Sequence, residues 1–303
     1  MNNLFEINKK VEEAILLNKP IVALESTLIS HGLPYPDNIK VAKESIMAVQ
    51  DNGSVAATIA IINGKIKIGL SEKDIEILAK DKNVQKVSNH NFSLSVYKNQ
   101  NAATTVASTL SIASMFNIKF FATGGIGGVH LESDKTFDVS ADLYSLSENA
   151  NYVVCSGAKS ILDLNKTYEL LETLAITRIG YNTNFMPGFW YPETNNKVDY
   201  NFEQISQICS FLKINEKFKR NKSVLIFNKV PKDKALKKEN VDNWIKTSIN
   251  KAKVNNINGK ELTPFLINEV NKESNNLTLK ANVSLIINNA ELAGKLSKEY
   301  FSS

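Results

Sequence analysis

The sequence predicts a layered α/β protein, and three observations carry that prediction. Short strand-like runs recur at residues 21–24, 120–123 and 153–156, apolar but for a final Thr123 and Ser156, as buried parallel strands require. Each run stops at a polar or glycine-rich cluster, and segments with helical apolar spacing lie between the runs. Two β-rich runs, 58–62 and 65–69, flank Asn63-Gly64, a strong signal for a two-residue hairpin.

The elements follow in order. Residues 8–18 carry apolar side chains at helical spacing and predict a surface helix. Ile21-Val22-Ala23-Leu24 predicts a buried strand whose carboxyl end is Glu25-Ser26-Thr27. Residues 37–50 predict a helix with Asp37 near its cap, and Ser71-Glu72-Lys73-Asp74 a capped helix running to about Ala79. Residues 104–116, rich in Ala, Ser and Thr, suit a close-packed helix. Phe120-Phe121-Ala122-Thr123 reads as a strand leading into Gly124-Gly125-Ile126-Gly127-Gly128. Val153-Val154-Cys155-Ser156 is another, leading into Gly157-Ala158-Lys159-Ser160, with a helix over 162–174. Residues 184–201 hold Pro, Gly and Asn with Phe185, Phe189, Trp190 and Tyr191. That stretch is too long for a tight connection and reads as a loop over an active site. Val224-Leu225-Ile226-Phe227 is a last strand before a helix-rich segment.

Composition narrows the function classes. The chain has 303 residues, 43% hydrophobic and 22% charged, as in a soluble globular enzyme. The net charge of +5 is a mild excess. Lys213, Lys217, Lys219, Lys222, Lys237 and Lys238 are spread out, which suits solvated faces better than a nucleic-acid patch. The sign also suits a small anionic substrate. Two cysteines allow no disulfide framework, and Cys155 reads as a buried core thiol. The three histidines, His31, His90 and His130, lie far apart, which disfavours a zinc hydrolase. The N-terminus has no apolar signal core and carries Glu6, Glu12 and Glu13. No apolar run approaches the ~18 residues of a membrane span, so the cytoplasm is the expected compartment.

The candidate chemistry lies at the strand ends. If the strands are parallel neighbours, Glu25-Ser26-Thr27, the segment 123–128 and Gly157-Ala158-Lys159 converge on one sheet edge. Lys159 follows an apolar strand, where burial or a neighbouring cation would lower a lysine pKa and free the amine to attack a carbonyl carbon. The alternative is a surface lysine opening a helix. The glycine run lacks Rossmann spacing; a phosphate nest or a close-packing loop remains. Asp138 and Asp142, four apart, would share a face if helical and would suit Mg²⁺ or Mn²⁺. The other reading is an acidic helix N-terminus. His31 and His130 stand equally as ligand contacts or structural residues.

These segments together resemble a known family. Val22-Ala23-Leu24-Glu25-Ser26-Thr27, Ser30-His31-Gly32-Leu33-Pro34-Tyr35-Pro36 and Ala57-Thr58-Ile59-Ala60 resemble pseudouridine-5′-phosphate glycosidases, also called indigoidine-synthase-A-like proteins. So do Lys86-Val87-Ser88, Ala103-Thr104-Thr105-Val106-Ala107, the segment 121–130, Thr136-Phe137-Asp138-Val139-Ser140-Ala141-Asp142 and the segment 157–163. Gly259-Lys260-Glu261-Leu262-Thr263-Pro264-Phe265-Leu266 and Asn288-Asn289-Ala290 complete the series, which spans about residues 8–300.

The resemblance implies a single domain over residues 1–303, an α/β/α sandwich with a central mixed, largely parallel sheet. It implies a cytoplasmic homotrimer with one Mn²⁺ per subunit and no room for a fused kinase. By motif, Lys159 matches the Schiff-base nucleophile, Glu25 the proton donor and Asp138 the metal carboxylate. Lys86, Val106, Ser140, Ala141, Asp142 and Asn282 match substrate-site positions, with Thr105, Thr123 and His130 as phosphate or ribose contacts. The implied reaction cleaves pseudouridine 5′-phosphate reversibly to uracil and ribose 5-phosphate. A different imine-forming sugar-phosphate lyase and a non-catalytic nucleotide-binding protein are the alternatives. The chain departs from the family in four places. Asn89-His90-Asn91 replaces Arg-Arg-Asp, and Leu131 replaces a basic residue. Asn228-Lys229-Val230-Pro231 replaces Asn-Pro-Ile-Pro, and the loop around 190–199 is shorter than in the family.

Overall fold

The computed structural model describes residues 4–257 and 262–302, so Gly259-Lys260-Glu261 lie outside the described residues. In chain order the first elements are β1 (Phe5–Ile7), α1 (Lys9–Leu16), β2 (Ile21–Leu24), α2 (Asp37–Asp51), β3 (Val55–Ile62), β4 (Lys65–Ile68) and α3 (Glu72–Lys80). Next come β5 (Gln85–Val87), α4 (Phe92–Tyr97), β6 (Ala102–Thr104), α5 (Val106–Met115), β7 (Phe120–Ala122), α6 (Ser133–Thr136), α7 (Ala141–Glu148) and β8 (Tyr152–Cys155). The last are α8 (Leu164–Thr173), β9 (Thr177–Tyr181), β10 (Tyr200–Phe202), α9 (Ile205–Lys217), β11 (Val224–Phe227), α10 (Lys238–Val254), α11 (Leu262–Glu273) and α12 (Leu277–Ser302).

The sheet runs β1-β4-β3-β2-β7-β8-β11-β9-β10, with β6 on β3 and β5 on β6. Only β3–β4 and β3–β6 pair antiparallel among the described strands, so the sheet is mixed and largely parallel, as expected. Strand β3 changes partners along its length. Residues 55–58 pair with β2, whereas 59–62 pair with β4 and 60–61 with β6. The β3–β4 hairpin turns at Asn63 and Gly64, whose φ angles of 50° and 73° are those of a type I′ turn. Ser71 and Asp74 form a reciprocal capping box at the start of α3.

Side-chain alternation along the central strands splits the interior into two layers. Val22, Leu24, Phe120, Ala122, Tyr152, Val154, Val224 and Ile226 pack with Val49 of α2, Ile208 and Leu212 of α9, and Leu292 and Leu296 of α12. Ala23, Phe121, Val153, Cys155, Leu225 and Phe227 face the other way. They pack with Leu110 of α5, Leu146 of α7, Leu171 of α8 and Val241 of α10. Helices therefore cover both faces, and the strands read as continuous apolar runs for that reason. Truncating a side chain such as Phe121, fully buried, costs about 3–5 kcal/mol.

Some boundaries differ from the sequence reading. Thr104 closes β6, and the helix expected from 104 begins at Val106. Asp37 lies in the first turn of α2, after Pro36 at the cap position. Strands β1, β5, β6 and β10 have three residues each, too few to show a periodicity.

Candidate active site

Strands β2, β7 and β8 are parallel neighbours in register, with Leu24 beside Ala122 and Ala122 beside Val154. Their carboxyl ends therefore open on one edge. The chain goes to one side of β2 for β3 and to the other for β7, so this edge is a topological switch point, where open α/β sheets bind ligands. A cavity of about 240 Å³ lies there. Glu25, Thr123, Gly124, Gly125 and Lys159 line it from the strand ends, and Lys86 from β5. Leu28, Ile29, His31 and Leu33 close one wall, from the π-helical turn at Leu28–Gly32 and the residue after it. Phe189 and Trp190 bring the long loop over the site, and Ile267, Asn282 and Ile286 bring α11 and α12.

Glu25 stands at the carboxyl end of β2. Thr123 Oγ1 donates to its Oε1. The next residues are bolted to the small strand layer. Ser26 Oγ donates to Ile59 O at 2.7 Å, Thr27 Oγ1 donates to Thr104 O at 2.7 Å, and Thr104 N donates to Ser26 Oγ at 2.9 Å. Burial pushes the Glu25 carboxyl above the usual carboxylate range, against the pull of Lys159, the Thr123 hydrogen bond and Lys86; Asp142 adds to the rise. A carboxyl so placed holds its proton above the usual carboxylate range, as a general acid requires.

Lys159 does not open a helix, because α8 starts at Leu164 behind an Asp163 cap. It sits in the loop after β8. Its backbone N–H donates to Ile126 O at 3.1 Å, and Ala158 bridges to Ile126 beside it. Gly157 has φ +86°, and a Cβ there would stand 2.0 Å from Pro187 O. Lys86 faces Lys159 and Glu25. Burial and the charge of Lys159 hold its pKa below the usual lysine range, opposed by Asp142 and Glu25.

The glycine run is a close-packing loop. A Cβ at Gly125 would be 2.7 Å from the Phe189 ring, one at Gly127 2.2 Å from Ser140 Oγ, and one at Gly128 2.4 Å from Thr167 Oγ1. Several of its amides are used internally. Ile126 N donates to Gly157 O at 3.1 Å, and Gly127 N donates to Asp142 Oδ2 at 2.8 Å.

The remaining sequence-chosen residues form a second group beside the cavity. Thr105 precedes α5 and Val106 is its buried first residue. Ser140 caps α7, accepting from Asp142 N at 3.2 Å, with Ala141 as the first helical residue. Asp142 joins the two helix starts to the glycine run, because its Oδ1 accepts from Ala107 N at 2.9 Å. Asp138 and Asp142 do not share a helical face. Asp138 lies before the helix, where its backbone O accepts from His130 N at 3.0 Å and its carboxylate stands 3.7 Å from His130 Nδ1. The acidic-N-terminus reading holds for Asp142 alone. Burial lowers the His130 pKa, Asp138 opposes, and Lys159 and Lys86 lower it further, so His130 looks onto the same cationic region. His31 is lowered by burial and by Lys86, against backbone hydrogen bonds at Gln85 and Val84.

One buried residue with no sequence signal for its role joins the strand ends. Asn289 of α12 is fully buried. Its Nδ2 donates to Thr123 O at 2.9 Å, Gly124 O at 3.3 Å and Ser156 Oγ at 3.1 Å, and its Oδ1 accepts from Asn228 Nδ2 at 3.1 Å. Among the described residues no group of three His, Cys, Asp or Glu is placed to hold a metal.

The arrangement combines a raised carboxyl and two lysines on a partly apolar cavity, with two helix N-termini beside it. It can protonate an oxygen, form an imine and hold an anion. A sequence profile described as indigoidine synthase A like protein matches residues 10–299. The pseudouridine-5′-phosphate glycosidase of Petrotoga mobilis is 44% identical over 295 residues, covering 97% of this chain and 96% of the relative. That of Geobacillus kaustophilus is 44% identical, covering 99% of each. The crystal structure of the prealnumycin C-glycosynthase AlnA in complex with ribulose 5-phosphate superposes with a TM-score of 0.92 at 30% identity, over 99% of this chain and 98% of that one. An indigoidine synthase A-like protein from Thermotoga maritima gives a TM-score of 0.89 at 30% identity, with the same coverage. With strand ends, cavity and full-length likeness in agreement, the chain belongs to the indigoidine synthase A-like family.

Proposed function

We propose that this chain is an enzyme that cleaves, and in reverse forms, the C-glycosidic bond of pseudouridine 5′-phosphate. The observation that carries the reading is Glu25, a carboxyl raised by burial in the same cavity as Lys159. The names of its full-length relatives point to the same substrate.

A C-glycoside offers no leaving oxygen or nitrogen, so two carboxylates and a water do not suffice. Glu25 donates its proton to the ribose ring oxygen, and the ring C–O bond opens. The Lys159 Nζ lone pair forms a bond to C1′. The new C1′ ammonium gives a proton to the Glu25 carboxylate, which passes it to uracil C5, and the C1′–C5 electron pair returns to the uracil ring. The Nζ lone pair completes a C1′=N imine. Water hydrolyses the imine, which releases ribose 5-phosphate and restores the lysine. Lys86, with the N-termini of α5 and α7 and the His130 imidazole beside them, suits the 5′-phosphate. Thr105, Val106, Ser140, Ala141 and Asp142 belong to that end in this reading. The apolar wall of Leu28, Ile29, Leu33 and Ile286 suits a flat base.

A divalent cation, Mn²⁺ or Mg²⁺, is proposed at Asp138. The donor set is one carboxylate beside one imidazole, which fits a hard ion that keeps most of its waters and does not fit an all-protein cage. Such an ion supplies positive charge to the phosphate end. A homotrimer is proposed as well. Phe137, Val139 and Tyr144, on one loop and the helix after it, are 87%, 42% and 61% exposed, which suits a subunit contact. No described helix is long and apolar enough to cross a membrane, and a cytoplasmic location is proposed on the substrate class.

The test is incubation with pseudouridine 5′-phosphate and Mn²⁺, following uracil by chromatography, with Lys159→Ala in parallel. Uracil from the wild type only, with borohydride trapping a sugar adduct on Lys159, is expected. A trapped adduct without uracil would assign the chain to another imine-forming sugar-phosphate enzyme. Turnover by Lys159→Ala would refute the nucleophile.

A further inference from the structure

We propose that Trp190 is a positioning residue: it locks the side-chain amide of Asn282 so that the NH₂ end faces the cavity as a donor to a substrate oxygen. This deepens the proposed function and rests on it. The argument begins with the indole, whose Nε1–H donates and cannot accept. Nε1 lies 2.6 Å from the amide oxygen of Asn282. A donor-only partner settles which end of the amide is oxygen, because the near-isosteric amide O and N are told apart by their hydrogen-bond partners. The NH₂ group is then turned away from Trp190. It makes no hydrogen bond to protein among the described residues and is not sealed from the cavity that Asn282 lines.

Trp190 is itself fixed. It is 2% exposed, its ring tilts against Phe189 at 5.5 Å between centroids, and its backbone is held from both directions. Trp190 N donates to Gly188 O at 2.9 Å, and Leu236 N donates to Trp190 O at 2.9 Å. An unrestrained asparagine could turn over and offer either a donor or an acceptor. A locked one accepts an oxygen at that point and rejects an N–H, because two donors would face each other unpaired. Loop residue Trp190 thereby selects substrate through α12, although its own polar atom is taken up by Asn282.

The test is a double-mutant cycle on binding, in a Lys159→Ala background so that ligand is not consumed. Calorimetry measures the dissociation constant of pseudouridine 5′-phosphate for the parent, Trp190→Phe, Asn282→Ala and the double variant. Trp190→Phe is expected to weaken binding about five- to tenfold, and Asn282→Ala about tenfold. The double variant is expected to bind no more weakly than Asn282→Ala. Losses that multiply would overturn the proposal, since Trp190 would then act by packing alone. Asn282→Asp keeps the acceptor toward Trp190 and removes the donor, so it guards against a misfolded Trp190→Phe. Parent-like affinity in Asn282→Asp would also overturn the proposal. No binding by the parent refutes the substrate reading and this inference together, a result distinct from multiplied losses.

Discussion

Replacing Asn289 by alanine removes one side chain from the junction of three strands. Its amide NH₂ serves Thr123 O, Gly124 O and Ser156 Oγ, and its oxygen serves Asn228 Nδ2. Gly124 O keeps Ser156 N as a donor, and Asn228 Nδ2 keeps a long bond to Asn288 O. Thr123 O and Ser156 Oγ lose their strongest partner in a fully enclosed site. At about 1–3 kcal/mol for each buried group left unpaired, the loss is about 2–6 kcal/mol. That is a large share of a native stability of about 5–15 kcal/mol. Asn288 is the control, since it is partly exposed and its Nδ2 makes one bond, to Lys229 O at 3.2 Å. Its alanine variant should lose about 0.5–1.5 kcal/mol. Denaturant midpoints at unchanged m-value give both numbers. Asn289→Ala should also lower kcat about tenfold or more, because Thr123 holds Glu25 and Ser156 leads to Lys159. Equal destabilisation by the two variants would refute the reasoning.

Other consequences are open to measurement. Glu25 has a raised pKa from burial, so its acid form persists above the usual carboxylate range. The rate should fall as pH rises through that value, and Glu25→Gln should lose about a hundredfold or more in kcat; a profile flat to the lysine range would refute the acid role. Gly157→Ala puts a methyl 2.0 Å from Pro187 O at φ +86°, so the loop carrying Phe189 must shift. A loss of more than about 1 kcal/mol with a raised KM is expected, and wild-type values in both would count against the close contact. Asp138→Asn should lower bound Mn²⁺ measured by mass spectrometry, with the melting curve unchanged; full occupancy would remove Asp138 from the metal site.

Much of the fold was legible because the chemistry is local. Asn63-Gly64 specifies a type I′ turn whatever surrounds it, and Ser71 with Asp74 caps α3 within one turn. Strands β2, β7, β8 and β11 are buried on both faces and show as unbroken apolar runs. The short strands had no such signal, and the helical spacing of Asp138 and Asp142 misled because Val139 between them bridges Val129 and Ser140 is extended at the cap of α7. His31 was weighed from sequence as one of two readings, and it lines the cavity.

The sequence by itself determined which residues stand at strand ends: Glu25, Thr123 and the loop of Lys159 each follow an apolar run. Hydrophobic period and turn chemistry act over a few residues, so they are written in the chain. Only the tertiary structure decided that β2, β7 and β8 are neighbours, which brings residues 134 positions apart into one cavity, from 25 to 159. It also decided that α12 carries Asn282 and Asn289 to those ends. The burial that raises Glu25 and the indole that turns the Asn282 amide belong to no single segment. They arise where elements distant in sequence exclude water from one another.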